Sequence, residues 1–177
     1  DRGLNNTCIQ CHQPRNSYAV PGPTDAYKVT SSRFGPHHGP QSTMVEGIMG
    51  AESLTGSYPA AGTSKHAEAS CITCHMGETT DGTDGSHTWW PTDNACLSCH
   101  ATVPTEVAGF ATSLAELKAE LVKLGALTDS GSTVTGTWPA PVAQAMWNYK
   151  TLTEDLSEGV HNPAYARALL QSSLDGL

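Results

Sequence analysis

Apolar bulk is what this 177-residue chain has least of. Only 38% of its residues are hydrophobic and two are Phe, while Gly, Pro, Ser and Thr abound, so side chains alone make a poor core. Charge is sparse as well, at 15%, and the nine Lys and Arg are scattered in a chain of net charge −8, which argues against a phosphate backbone as partner. No apolar run approaches the ~20 residues that span a bilayer, so no transmembrane segment is expected. No charged-then-apolar signal segment opens the chain either. Disorder is a poor explanation, because disordered chains are usually highly charged and poor in aromatics, whereas four Trp and five Tyr are present here. A large, flat, apolar cofactor would supply the buried surface that the sequence lacks.

No cysteine is left over. All six fall into Cys8-Ile-Gln-Cys11-His12, Cys71-Ile-Thr-Cys74-His75 and Cys96-Leu-Ser-Cys99-His100. Two thiols three positions apart can add to the two vinyl groups on one haem edge, and the adjacent His then meets the iron as proximal ligand. Three disulfides, a zinc ribbon or a redox dithiol are the rival readings. With eight His in the chain, a His after all three pairs arises by accident with odds on the order of one in ten thousand. Three haem c groups are therefore expected, bound covalently through Cys8, Cys11, Cys71, Cys74, Cys96 and Cys99 and ligated by His12, His75 and His100. Attachment of this kind occurs outside the cytoplasm and implies export, with a signal peptide removed ahead of Asp1.

What fills each sixth iron position separates electron carriers from enzymes and gas binders. Five histidines remain: His37, His38, His66, His87 and His161. His66 lies five residues before Cys71, too close to cross easily to the far face of the haem it precedes, and so suits a neighbouring haem. His87 lies between two motifs only 25 residues apart. His161 precedes Asn162-Pro163, a favoured N-cap and first helical residue, which would hold it rigidly. His37 and His38 occupy the Gly/Pro-rich loop Gly35-Pro-His-His-Gly-Pro-Gln41, where one suits ligation and the other a supporting role. Met44, Met49, Met76 and Met146 read as packing residues or as badly placed alternatives.

The expected fold is mostly α and irregular, a single three-haem domain over 1–177. Its first part, 1–105, is loop-rich and haem-organised, with a short helical turn at each motif. Its second, 106–177, is helical and supplies an axial His. Ser113-Leu-Ala-Glu116 reads as a capping box before Leu114, Leu117, Leu121 and Leu124, with Gly125 ending that helix. Residues 128–137 read as a loop or short hairpin. A second helix spans roughly Ala140 to Leu152 with Val142, Ala145, Met146 and Tyr149 inward, and a third follows His161 with Ala166, Leu169, Leu170 and Leu174 on one face.

Several phrases carry a resemblance: His37-His-Gly-Pro-Gln41 with Met44, His66 before Cys71, His87-Thr-Trp before Cys96, Asn148-Tyr, Glu154-Asp-Leu-Ser, and Gly159-Val-His-Asn-Pro163. Together they resemble the multihaem superfamily of cytochrome c nitrite reductase, the octahaem cytochromes and the extracellular filament-forming (nanowire) cytochromes. The resemblance implies that His66 ligates the haem of His100 and His161 that of His75. It further implies that His37, with His38 as alternative, and His87 are distal ligands, one of them to the haem of His12. The nitrite reductases bind substrate at a haem whose motif ends in Lys. No Cys-x-x-Cys-Lys occurs here, so the resemblance favours electron transfer over catalysis.

Four candidate distal imidazoles for three irons leave one surplus. In filament-forming relatives such a His ligates a haem of the next protomer, which implies a homo-oligomeric filament with His37 or His87 as donor. The leading expectation is an extracellular or cell-surface conductor with low-spin bis-His haems, handing electrons to redox partner proteins or extracellular acceptors. A discrete periplasmic or cell-surface carrier is the alternative, followed by an oxidoreductase with one five-coordinate haem.

Overall fold

The computed structural model describes residues 2–19, 22, 24–52, 56–79 and 81–177. It is mostly helical and irregular with one small sheet. Four short helices, α1 (Asn6–Ile9), α2 (Gln41–Glu46), α3 (Lys65–Glu68) and α4 (Cys71–His75), are joined by loops, and α5 (Asp93–Leu97) follows. Three longer ones, α6 (Phe110–Lys123), α7 (Ala140–Asp155) and α8 (Pro163–Asp175), pack on one another.

The helical core gathers Leu117 and Leu121 of α6, Met146 of α7, and Tyr165 and Leu169 of α8, with Met44 of α2 inserted from the first half. As the sequence suggests, Ala145, Met146 and Tyr149 are buried, and Val142 packs at the margin. Leu121 is fully buried, so Leu121→Ala should destabilise the fold by about 2–5 kcal/mol in denaturant unfolding. A loss below about 1 kcal/mol would mean that these helices do not pack as described.

Two boundaries differ from the sequence reading. α6 starts at Phe110, capped by Gly109 in the left-handed region, and Ser113 lies inside the first turn. The capping box is overridden because Phe110 is buried against Val107 and Gly159, an anchor that pulls the helix start forward. α7 runs three residues past Leu152, to Asp155. Gly125 does follow α6 with φ +75°, and the Asn162 side chain does cap α8 by accepting from Tyr165 N.

The stretch around 128–137 closes a turn through the bridge Leu127–Thr133. It then enters β2 (Gly136–Pro139), which pairs antiparallel with β1 (Ala26–Val29) in the register Ala26–Pro139 to Val29–Gly136. Ala140 N also donates to Asp25 O (2.9 Å), so the start of α7 is fixed to the N-terminal part.

Buried polar groups fix the loop around residues 49–52. Asn148 of α7 accepts from Ala51 N (2.6 Å) and donates to Ala51 O (2.9 Å), while Trp147 Nε1 donates to Met49 O (2.9 Å). Tyr165 accepts from Gly50 N (2.9 Å) and donates to Glu52 (3.3 Å). Burial pushes its phenol far above the ordinary range, which keeps it a neutral donor.

Candidate haem-binding site

Each Cys-x-x-Cys-His lies on a helical turn. The second is α4 itself, capped by Ser70 accepting from Thr73 N. The first and third start their helices ahead of the motif, at Asn6 and Asp93, and complete the turn with His12 N→Cys8 O (2.9 Å) and His100 N→Cys96 O (2.8 Å). Such a turn brings both thiols and the imidazole to one side of the backbone. No two of the six cysteines are joined in a disulfide. Thr92, which caps α5 by accepting from Asn94 N through its side chain, ties α5 to α4 by donating its own N–H to Cys74 O (2.7 Å).

The motifs lie in contiguous order. Burial and the adjacent Cys8 thiol, with which it shares a hydrogen bond, push the Cys71 thiol up. Burial and the neighbouring Cys96 do the same to Cys74. Hydrogen bonds place the second motif between the other two: Ile72 N donates to Asn5 Oδ1 just ahead of the first (3.5 Å), and Thr92 N, at the start of the helix of the third, donates to Cys74 O (2.7 Å).

Two pairs of imidazoles come close together. His66 and His100 have ring centres 6.2 Å apart at an interplanar angle of 68°; His75 and His161 are 6.3 Å apart at 46°. With metal–imidazole bonds of about 2 Å and a ring centre about 1.2 Å behind each ligating nitrogen, two imidazoles on one metal place their centres about 6.3 Å apart. Both spacings fit one iron between two rings.

The second nitrogens are engaged. His66 Nδ1 donates to Val160 O (2.5 Å), His75 Nδ1 to Trp89 O (2.7 Å) and His161 Nδ1 to Asp155 Oδ1 (2.7 Å). His12 Nδ1 donates to Gln41 Oε1 (3.2 Å), and His38 Nδ1 to Glu154 Oε2 (2.8 Å). In all five the tautomer so fixed leaves Nε2 with its lone pair available to a metal.

His12, His37, His38 and His87 are not drawn into such pairs. Among the described residues, no imidazole stands opposite His12. His37 and His38 are neighbours, 4.8 Å apart, both at positive φ (53° and 70°). Loss of surrounding water, with His38, Arg33 and Arg15 nearby, holds His37 below the ordinary imidazole range, whereas His38 is oriented by Glu154 and its side chain is 65% exposed. His87, on a 3₁₀ turn, packs its ring near Trp89 (6.3 Å) and is exposed. Met44 and Met146 are buried in the core, in keeping with packing roles.

No family model and no curated protein matches the chain. A solved structure does. The chain is similar in fold to the outer cell wall cytochrome OcwA. The TM-score is 0.62 at 24% identity, and the match covers 97% of this chain but 34% of that one. The chain therefore spans about a third of that cytochrome's length.

Large apolar side chains are exposed at positions close in sequence to the motifs. Trp89 (60% exposed), Trp90 (70%) and Met76 lie by the second motif, Leu97 within the third, Leu4 before the first, and Leu156 in the turn before His161. Side chains of this size are rarely left in water together without a covering surface. Sequence reasoning singled out the motif histidines, His66 and His161 as candidates but assigned no role to Gln41, Glu154 or Asp155. Gln41 and Glu154-Asp155 did stand in the phrases that carry the resemblance, and an acidic pair six and seven residues before a His was the available signal.

Proposed function

We propose that the chain is a three-haem electron-transfer unit of an exported c-type cytochrome. Cys8/Cys11, Cys71/Cys74 and Cys96/Cys99 attach the groups, and His12, His75 and His100 are the proximal ligands. His161 closes the centre of His75, and His66 closes that of His100. The observation that carries this reading is the pair of imidazole spacings, 6.2 and 6.3 Å, at the two histidines that follow Cys74 and Cys99. When bound, each haem supplies a one-electron Fe(III)/Fe(II) couple, at a potential that two imidazoles set lower than His/Met ligation does.

The residues of the chain do three things for that couple. Pairs of thiols fix each group to a capped turn. Backbone, carboxylate and amide acceptors hold the Nδ1 protons of His66, His75, His161 and His12 and present their Nε2 atoms. Contact between Cys8 and Cys71, and the approach of Cys74 to Cys96, keep successive attachment edges close enough for electrons to move from centre to centre.

Among the described residues no imidazole pairs with His12, while His38 is exposed and oriented, so one site needs a ligand and another offers one. A head-to-tail contact satisfies both and propagates as a filament. We therefore favour His38 over His37 or His87 as the donor to a second copy, in an extracellular or cell-surface polymer. The open position at His12 also suits a discrete carrier, or an oxidoreductase with one five-coordinate haem.

Electron microscopy and carbon monoxide titration separate these readings. The filament reading expects polymers with low-spin bands throughout, and His38→Ala should give monomers in which one haem in three binds carbon monoxide. Intact polymers after that change would contradict His38 as donor. Wild-type monomers that bind carbon monoxide at one haem would favour the oxidoreductase.

A further inference from the structure

The last two residues of α7 bond two of the histidines directly, His38 and His161, and a third, His12, through Gln41. Gln41 opens α2, accepts from His12 Nδ1 through Oε1 (3.2 Å), and donates through Nε2 to Glu154 O (2.9 Å) and Asp155 O (3.3 Å). Those carbonyls belong to the last turn of α7, where no intrahelical donor reaches them. The Asp155 side chain, 1% exposed, accepts from His161 Nδ1 (2.7 Å) and from Ser157 Oγ, and Ser157 Oγ in turn accepts from His161 N (3.2 Å). Glu154 holds His38.

The backbone between these contacts is tightly determined. Leu156 (φ 60°), Glu158 (φ 51°) and Gly159 (φ 84°) all lie in the left-handed region. Two are not glycine, a conformation that costs energy and persists only where surrounding contacts over-determine it. At the other end, the 36–42 loop lies on the first motif: Ser42 N donates to His12 O (3.0 Å), and a Cβ on Gly39 would come within 2.7 Å of Gln13 O and 2.9 Å of Cys11 O.

We infer that Gln41 and Asp155 are positioning residues that couple two haem centres, Gln41 joining the proximal ligand of the first to the peptide that presents the distal ligand of the second. This rests on the reading of His12 and His161 as iron ligands. Gln41 sets the His12 ring from one side of its amide and closes α7 with the other, so the two rings share one mechanical anchor. Asp155 acts on His161 through its carboxylate, and only its carbonyl faces Gln41. The third centre, His66 with His100, takes its Nδ1 acceptor from Val160 and has no bond to Gln41.

The loaded protein in its ferric state reports each bis-imidazole centre through its low-spin electron paramagnetic resonance signal, which depends on ring orientation, and through its reduction potential. Gln41→Leu should shift the signals and potentials of two centres and leave the third unchanged. Asp155→Asn keeps the fold's shape and the Gln41 contact, and should shift one centre alone. Should Gln41→Leu fail to load haem, Gln41→Glu keeps the acceptor for His12, loses the donor to α7, and should still shift two.

A Gln41 variant that shifts one centre, all three or none would overturn the coupling, as would Asp155→Asn leaving the second centre unchanged. His161→Ala is the control for the underlying assignment. If it leaves every low-spin signal in place, the ligand reading has failed, and the coupling falls with it for a separate reason.

Discussion

Cells producing the Cys71→Ser, Cys74→Ser double variant should yield no stable folded protein, and any trace recovered should be short of one haem. The second motif stands between the other two, with Cys71 beside Cys8 and Cys74 beside Cys96. His75 lies close to His161, which the Asp155–Ser157 turn delivers from α7. Loss of the middle group would leave Met76, Trp89 and Trp90 in water and remove the bridge between the N-terminal loops and the helices. A few hundred Å² of apolar surface at about 25 cal/mol per Å² is worth on the order of 10 kcal/mol. That is comparable with the entire net stability of a domain, about 5–15 kcal/mol. Expression level, proteolysis and mass of the product check it. A well-folded variant with two haems and unchanged helicity would show that the centres are independent ornaments on a self-sufficient fold.

His161→Ala should convert one haem to a high-spin, five-coordinate centre that binds carbon monoxide, while the centre of His66 and His100 stays low-spin. The substitution removes the ring opposite His75 without touching the thiols that attach the group, so haem content should stay the same. It also strips the buried Asp155 carboxylate of its imidazole partner and leaves it Ser157 alone. An unsatisfied buried acceptor costs about 1–3 kcal/mol, so thermal unfolding should fall as well. His161→Met is the informative companion, since a thioether closes the position and raises the potential of that centre. Unchanged low-spin bands and no carbon monoxide binding in His161→Ala would remove His161 from the ligand set.

Local chemistry made some parts of the molecule legible in the sequence. Asn162-Pro163 marks the start of α8 because an Asn cap and a Pro at the first turn act within one turn of chain. The Leu117 and Leu121 repeat marks the buried face of α6, but its start could not be read, because burial of Phe110 against Val107 and Gly159 outweighs the capping box at Ser113. The pairing of Ala26–Val29 with Gly136–Pro139 joins segments more than a hundred residues apart, and neither carries the alternation that announces a strand.

The same limit applies at the site. The position of His66 five residues ahead of Cys71 already argues against its own haem and for a neighbour, and the structure puts its ring opposite His100. The partners of the second nitrogens were invisible, because Val160 and Trp89 act through backbone carbonyls that any residue could supply. Gln41 and Asp155 are 114 residues apart, and only the folded chain shows that they meet.

Intact mass of the purified protein tests the central claim most directly. Three covalent haems predict a mass equal to the polypeptide plus three haem groups, retained under denaturing conditions. A polypeptide mass without them, or one lowered only by the hydrogens lost to disulfides, would contradict the account.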